Sequence, residues 1–145
     1  MIAIDTNLLV YAHRPDMPLH DQARALIDSL PQRGRLFDLP WPCVHEFLAV
    51  VTNRRIFHDP TPTPIAMKAV QSLVDSGLFS LLGEGSGYLD HLSTLAISGQ
   101  VQGAMIHDAR IAALCRHHGV QELWSADRDF TRFPGMKVSN PLIQG

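Results

Sequence analysis

Ile2-Ala3-Ile4-Asp5-Thr6-Asn7, at the start of the chain, joins three apolar residues to an acid, a hydroxyl and an amide. The apolar run predicts a short buried strand, and the polar residues after it predict a turn. A second stretch, Glu122 to Ser125, also predicts a strand and is followed closely by Asp127. In open α/β sheets, ligands bind beyond the carboxyl ends of the strands. We therefore expect Asp5 and Asp127 to point into one crevice.

Short apolar runs alternate with longer helical patterns along the rest of the chain. Further strands are predicted at Leu36–Leu39, Leu78–Leu82 and Met136–Val138. Helices are predicted at Leu8–Ala12, Leu19–Leu30, Cys43 to Arg54-Arg55, Ile65–Val74, Tyr88–Ala96 and Ala109–Cys115. This alternation predicts an α/β fold, with a largely parallel sheet of about five short strands and helices on both faces. With no repeat and no internal boundary, residues 1–145 are expected to form a single domain.

Three helix starts carry polar residues that are typical of N-caps. Thr63 followed by Pro64 predicts an N-cap and a first helical residue after the proline-rich loop at residues 58–64, which is expected to be exposed. Ser86, in the glycine-rich turn at residues 83–87, is predicted to cap the helix that follows it. Asp108 precedes the apolar segment Ala109–Cys115 and is also a preferred N-cap type.

The bulk composition excludes several classes of protein. The formal net charge of the 145 residues is -2, so any attraction to nucleic acid must be local. Cys43 and Cys115, the two cysteines, lie in apolar helical patterns and are expected to be buried thiols. The absence of a disulfide framework predicts a cytoplasmic protein, and the first residues reach a charge too soon for a signal peptide. No apolar run approaches the roughly 20 residues that span a bilayer.

Four acids crowded by apolar residues are the candidate functional residues: Asp5, Glu46, Asp108 and Asp127. Three of them have a structural alternative, because Asp5 can close a turn, Asp108 can cap a helix and Glu46 can lie on a solvated helix face. Asp129 either joins the group or closes a turn. The plainest way to gather such carboxylates is around a divalent cation, since like charges raise one another's pKa.

Oxygen ligands select hard cations such as Mg²⁺ or Mn²⁺, which bind phosphates. The cluster therefore points to phosphodiester or phosphomonoester hydrolysis. The other common ligand and nucleophile patterns do not occur. The histidines and cysteines lack zinc spacing, and there is no Walker A loop, no Gly-x-Gly-x-x-Gly and no Gly-x-Ser-x-Gly.

Four strings together resemble the PIN-domain ribonucleases, and within them the VapC toxins of prokaryotic type II toxin–antitoxin pairs. These are Ile4-Asp5-Thr6-Asn7, the helical Glu46, the segment from Ile106-His107-Asp108-Ala109 to Cys115, and Ser125-Ala126-Asp127-Arg128-Asp129-Phe130. The segment Phe133-Pro134-Gly135-Met136 also matches. The match runs in order from end to end.

The resemblance implies a PIN fold, a Rossmann-like parallel sheet between helices. It implies a magnesium-dependent endoribonuclease, with Mn²⁺ able to substitute, that cuts structured RNA such as tRNA or rRNA by metal-activated water. Asp5 and Asp108 would be the metal ligands, and Glu46 and Asp127 would complete the catalytic acids. Thr6 and Ser125 stand where the family has small hydroxyl residues. The implied partners are the RNA substrate, a small cognate antitoxin protein and a second copy in a homodimer.

Two related functions remain open: a PIN nuclease of RNA maturation outside a toxin–antitoxin pair, and a catalytically silent PIN binding module. A haloacid-dehalogenase-type phosphatase is disfavoured, because Asn7 stands where its second Asp is required. The silent module would predict loss of an acid, yet all four are present. Several arginines lie near the acids in sequence and stay unassigned as RNA contacts: Arg54, Arg55, Arg110, Arg128 and Arg132.

Overall fold

The protein is a five-stranded parallel sheet flanked by six α-helices, as seen in a computed structural model that describes residues 1–143. The strands are β1 (Ile2–Ile4), β2 (Phe37–Pro40), β3 (Phe79–Leu82), β4 (Glu122–Trp124) and β5 (Lys137–Ser139). The helices are α1 (Thr6–His13), α2 (His20–Ser29), α3 (Trp41–Val51), α4 (Thr63–Asp75), α5 (Tyr88–Ser98) and α6 (Ile106–His117). Short 3₁₀ turns occupy Leu30–Arg33, Gly103–Met105 and Arg128–Arg132.

The sheet has the order β3-β2-β1-β4-β5 and every pairing is parallel. The first strand lies at the centre, where Ala3 is in register with Asp38 on one side and Leu123 on the other. Parallel pairing brings the carboxyl ends of all five strands to one edge of the sheet. The predicted fold class is confirmed, with strand ends shifted by a residue or two.

The last helix lies in the interior, as its apolar composition predicts. Ala109, Ile111 and the residues to Cys115 are buried, whereas Arg110 is half-buried. The two cysteines, Cys43 on α3 and Cys115 on α6, are fully buried free thiols, as the sequence predicts. This packing holds the N-terminal ends of α3 and α6 beside the carboxyl ends of the strands.

None of the three residues considered as N-caps, Thr63, Ser86 and Asp108, caps a helix. Thr63 is the first residue of α4 and makes no capping hydrogen bond, because Pro62 takes the cap position in an extended conformation. Gly87, not Ser86, precedes α5, since its positive φ of 89° reverses the chain there. The last helix begins at Ile106, directly after a 3₁₀ turn, so Asp108 lies inside its first turn and caps nothing.

The third helix ends at Val51, earlier than the Arg54-Arg55 predicted from sequence. The Thr52 hydroxyl donates to the Leu48 carbonyl at 2.7 Å, and the Asn53 side chain accepts from the Arg55 backbone at 2.8 Å. These local hydrogen bonds compete with the helix and turn the chain. The loop that follows is mostly exposed, as expected, but Thr61 is buried.

No helix within residues 1–143 is long and apolar enough to cross a membrane.

Candidate functional site

Asp5 forms the floor of the site, directly after β1, with 4% of its surface exposed. Its Oδ2 accepts a hydrogen bond from Ser125 Oγ at 2.7 Å, and its Oδ1 accepts from the Thr6 backbone at 2.8 Å and from Cys43 Sγ at 3.6 Å. Burial raises the pKa of Asp5 to about 6, with a smaller upward effect from the charge of Glu46, while these hydrogen bonds lower it. Asp5 therefore sits at the turn after β1, as considered from the sequence, but it is also buried, which a turn residue does not need to be.

Asn7 ties the end of β1 to the loop after β4. Its Nδ2 donates to Ser125 Oγ at 3.1 Å, and its Oδ1 accepts from the Ala126 backbone at 3.2 Å. Ser125 Oγ in turn accepts from the Asp127 backbone at 2.9 Å. The sequence marks Asn7 only as a turn former, since its partners lie more than a hundred positions away. This bridge fixes the position of Asp127 relative to Asp5.

Glu46 is exposed on α3, but its carboxylate is held at the wall of the site. Its Oε2 accepts a hydrogen bond from Thr6 Oγ1 at 3.1 Å. Neither alternative considered for Glu46 fully describes it, because the side chain is both solvated and turned toward the other acids. One cavity of about 250 Å³ is lined by Asp5, Thr6, Asn7, Val10, Tyr11, Met17, Glu46, Val50, Asp108 and Asp127.

The structure brings all four predicted acids to this one cavity, which we call the acidic cleft. Carboxylate oxygens of Asp108, Asp127 and Asp129 lie within 4.8 Å of one another. Asp127 Oδ1 also accepts from the Asp129 backbone at 2.8 Å, so Asp127 caps the 3₁₀ turn Arg128–Arg132. Asp129 lies in this turn, and its carboxylate is exposed beside the other two.

Asp108 carries the clearest electrostatic signature of this crowding. Burial, followed by the negative charges of Asp127, Asp129 and Glu46, raises its pKa to about 6, against a smaller opposing effect of Arg132. No ion pair within residues 1–143 involves these acids. The cluster holds more negative charge than nearby side chains neutralise.

This donor set fits a hard divalent cation. All the clustered donors are carboxylate oxygens, and the residues around them supply hydroxyl and amide groups rather than thiolate or imidazole ligands. Oxygen donors suit Mg²⁺ and Mn²⁺, which often retain coordinated waters and bind through one or two carboxylates. The closest grouping joins Asp108, one of the two expected metal ligands, to Asp127 and Asp129. The role of Asp129 was left open by the sequence.

The arginines that lie near the acids in sequence differ in their contacts and exposure. Arg110 pairs with Glu84 through Nη2 at 3.0 Å. Arg132 lies close enough to Asp108 to lower its pKa. Arg54, Arg55 and Arg128 are exposed.

Comparison with known proteins assigns the chain to a family. The PIN domain model matches residues 2–136. The chain is 30% identical over 138 residues to Ribonuclease VapC48 of Mycobacterium tuberculosis, covering 95% of each protein. It is 35% identical over 142 residues to Ribonuclease VapC43 of the same species, covering 98% of this chain and 96% of that one.

A solved structure shows the same fold. VapBC2 from Rickettsia felis, bound to a DNA fragment from its promoter, superposes with a TM-score of 0.69 at 14% identity, covering 97% of this chain and 98% of that one. The match to the family model spans most of the chain, and the relatives align over nearly their whole length. The chain therefore belongs to the PIN domain family, and within it to the VapC toxin ribonucleases.

Proposed function

We propose that the protein is a metal-dependent endoribonuclease and the toxin of a type II toxin–antitoxin pair, with the acidic cleft as its active site. The observation that carries the proposal is the convergence of Asp108, Asp127 and Asp129 within 4.8 Å beside a cleft that Asp5 and Glu46 also line. The names of the curated relatives, all ribonucleases, support RNA as the substrate class. We expect the target to be structured RNA, such as tRNA or rRNA.

Asp5 and Asp108 are proposed as the principal metal ligands, with Asp127 beside them and Asp129 as an additional carboxylate. A bound Mg²⁺ or Mn²⁺ lowers the pKa of a coordinated water and neutralises charge on a phosphoryl group. Ser125 and Thr6 hold the Asp5 carboxylate in place, so its oxygens are oriented before any ligand arrives. We assign Glu46 the role of orienting a water molecule and accepting its proton, which its hydrogen bond from Thr6 supports.

Purified protein tests this proposal. We expect cleavage of total RNA in Mg²⁺ or Mn²⁺, loss of cleavage in EDTA, and recovery when Mg²⁺ is restored. Asp108→Asn should reduce the rate by at least about 100-fold, because it removes a charge needed in the transition state. Asp90→Asn, an exposed acid on α5, is the matched control and should cleave like wild type. Full activity in EDTA, or in Asp108→Asn, would disprove the proposal.

We also propose a small cognate antitoxin and a homodimer as the protein assemblies. The structural relative is itself named as a VapBC complex, which supports the first. Co-expression with the gene immediately upstream should yield a co-purifying complex without RNA cleavage. A nuclease of RNA maturation would instead have no inhibitory neighbour, and its activity would be unaffected by co-expression. Light scattering of the free chain tests the dimer.

A further inference from the structure

Trp41 and His45 form a stacked aromatic pair on the first turns of α3. Their ring centroids lie 6.0 Å apart with an interplanar angle of 24°. The Trp41 side chain is unusually open for an indole, with 39% of the residue exposed, and His45 is exposed beside it. Trp41 follows Pro40, the last residue of β2, so the pair lies at the same sheet edge as Asp5.

The surrounding chain supports the indole without covering it. A Cβ placed on Gly83, directly after β3, would meet Trp41 Cδ1 at 3.6 Å, so this turn lies against the edge of the ring. A lone exposed apolar side chain is common on protein surfaces and needs no explanation. Here the exposed surface is a pair of stacked rings, held by a helix on one side and by a strand end on the other.

The pair and the acidic cleft share helix α3. His45 immediately precedes Glu46, which lines the cleft. Glu84, next to Gly83, forms an ion pair with Arg110, two residues beyond Asp108. The pKa of Glu84 is lowered first by a hydrogen bond from its own backbone and then by Arg110 and His45, which places His45 in the same charged surface.

We propose that the Trp41–His45 pair is a stacking platform for an unpaired base of the RNA whose phosphate is cut in the acidic cleft. This inference rests on the proposed nuclease function. Unstacked bases in RNA loops are commonly bound on aromatic and imidazole faces. Through its ion pair with Glu84, Arg110 reaches the turn that lies against Trp41, where its positive charge suits a neighbouring phosphate. A contact between two copies of this chain fits less well. The turn against Trp41 carries the Glu84–Arg110 ion pair, whereas a stable interface buries about 800 Å² per partner and its core is depleted of charge.

Tryptophan fluorescence gives a direct readout of base stacking. The chain has two tryptophans, and the other, Trp124, is buried. In an Asp108→Asn background, chosen to keep the RNA intact, a single-stranded RNA of about twelve nucleotides should quench the emission of Trp41. An abasic RNA of the same length, with its phosphates retained, should not quench it. Trp41→Phe should abolish the RNA-dependent change, because Trp124 alone then reports.

Cleavage kinetics separate substrate binding from chemistry. Trp41→Ala, made in the otherwise wild-type chain, should raise KM for RNA cleavage by roughly 5- to 150-fold, the range expected for losing one stacked base. The loss should fall on KM rather than on kcat, because stacking is present before and during the reaction. Trp41→Phe should recover part of the affinity. Ile65→Ala, an exposed apolar residue on α4, is the matched control and should leave KM unchanged.

Three results would overturn the platform: equal quenching by abasic RNA, a wild-type KM in Trp41→Ala, or a change of oligomeric state in Trp41→Ala by light scattering. The last would assign Trp41 to a contact between copies. A wild-type protein that cleaves no RNA would refute the proposed nuclease function instead. Base-dependent quenching can be measured separately, so the two failures are distinguishable.

Discussion

Individual hydrogen bonds hold the acidic cleft together, and Ser125 is the residue on which most of them meet. Its hydroxyl donates to Asp5, and it accepts from Asn7 and from the Asp127 backbone. Removing it leaves a buried carboxylate and two donors without their partner. A buried polar group that loses its partner costs about 1–3 kcal/mol.

We expect Ser125→Ala to lower the free energy of unfolding by about 1–3 kcal/mol, measured by urea denaturation. Ser93→Ala, at an exposed position on α5, is the matched control and should change stability by less than about 0.5 kcal/mol. A Ser125→Ala protein as stable as Ser93→Ala would show that the bonds around Asp5 contribute nothing measurable.

The raised pKa values of Asp5 and Asp108, each about 6, predict the pH dependence of the metal-free protein. Both acids bind protons more tightly when folded than in the unfolded chain, where their pKa is near 3.8. Their contribution to stability is therefore present at low pH and is lost as the pH rises from about 4 through about 6. Asp5→Asn should flatten this fall in urea titrations, whereas an unchanged slope would contradict the assignment.

Metal binding should show the opposite trend, because protons and cations compete for the same oxygens. Mn²⁺ affinity should rise as the pH increases through about 6, with release of protons that calorimetry in buffers of different ionisation enthalpy can count. Asp108→Ala should weaken Mn²⁺ binding strongly. Binding that is the same at pH values near 5 and 7 would place the cation elsewhere.

Between elements, Arg14 holds the loop after α3 against the end of α1. Its Nη1 donates to Thr61 Oγ1 at 3.2 Å, its guanidinium lies 4.1 Å from the centre of the Phe57 ring, and it pairs with Asp16. Such a planar, stacked contact suits arginine and not lysine. The buried Thr61 in a proline-rich loop is explained by this contact.

We expect Arg14→Lys to destabilise the protein by about 1–3 kcal/mol through the lost hydrogen bond and ring contact, and to speed amide exchange in residues 53–62. Arg24→Lys, at an exposed pair on α2, provides the comparison and should change stability by less than about 0.5 kcal/mol. Unchanged exchange in Arg14→Lys would mean that the loop is held by other contacts.

The sequence predicts the strands and helices themselves better than the residues at which they begin and end. Apolar runs such as Ile2–Ile4 identify strands because burial requires them, and strand direction then places Asp5 and Asp127 at one edge. The predicted first residues of helices are wrong where the backbone conformation determines where a helix begins, as at Gly87 and at the 3₁₀ turn before Asp108. The bridge from Asn7 to Ser125 was beyond sequence reasoning, because it joins residues 118 positions apart.

In the whole molecule, the parallel topology brings four acids that are far apart in sequence to one cleft. Asp5 and Asp127 follow β1 and β4, while Glu46 and Asp108 lie on helices whose N-terminal ends face the same edge. Strand order pairs Asp5 with Asp127, but only the family resemblance adds Glu46 and Asp108, since spacing alone leaves each of those two an alternative role. The fold makes that convergence visible without the resemblance.

Mapping of new RNA 5′ ends in cells shows whether the acidic cleft cuts RNA. Wild type, Asp5→Asn and the control Asp90→Asn are induced separately, and RNA 5′ ends are sequenced soon after induction. We expect a defined set of new ends with wild type and Asp90→Asn, and none of them with Asp5→Asn. No new ends with wild type, or the same ends with Asp5→Asn, would show that the acidic cleft is not a nuclease site.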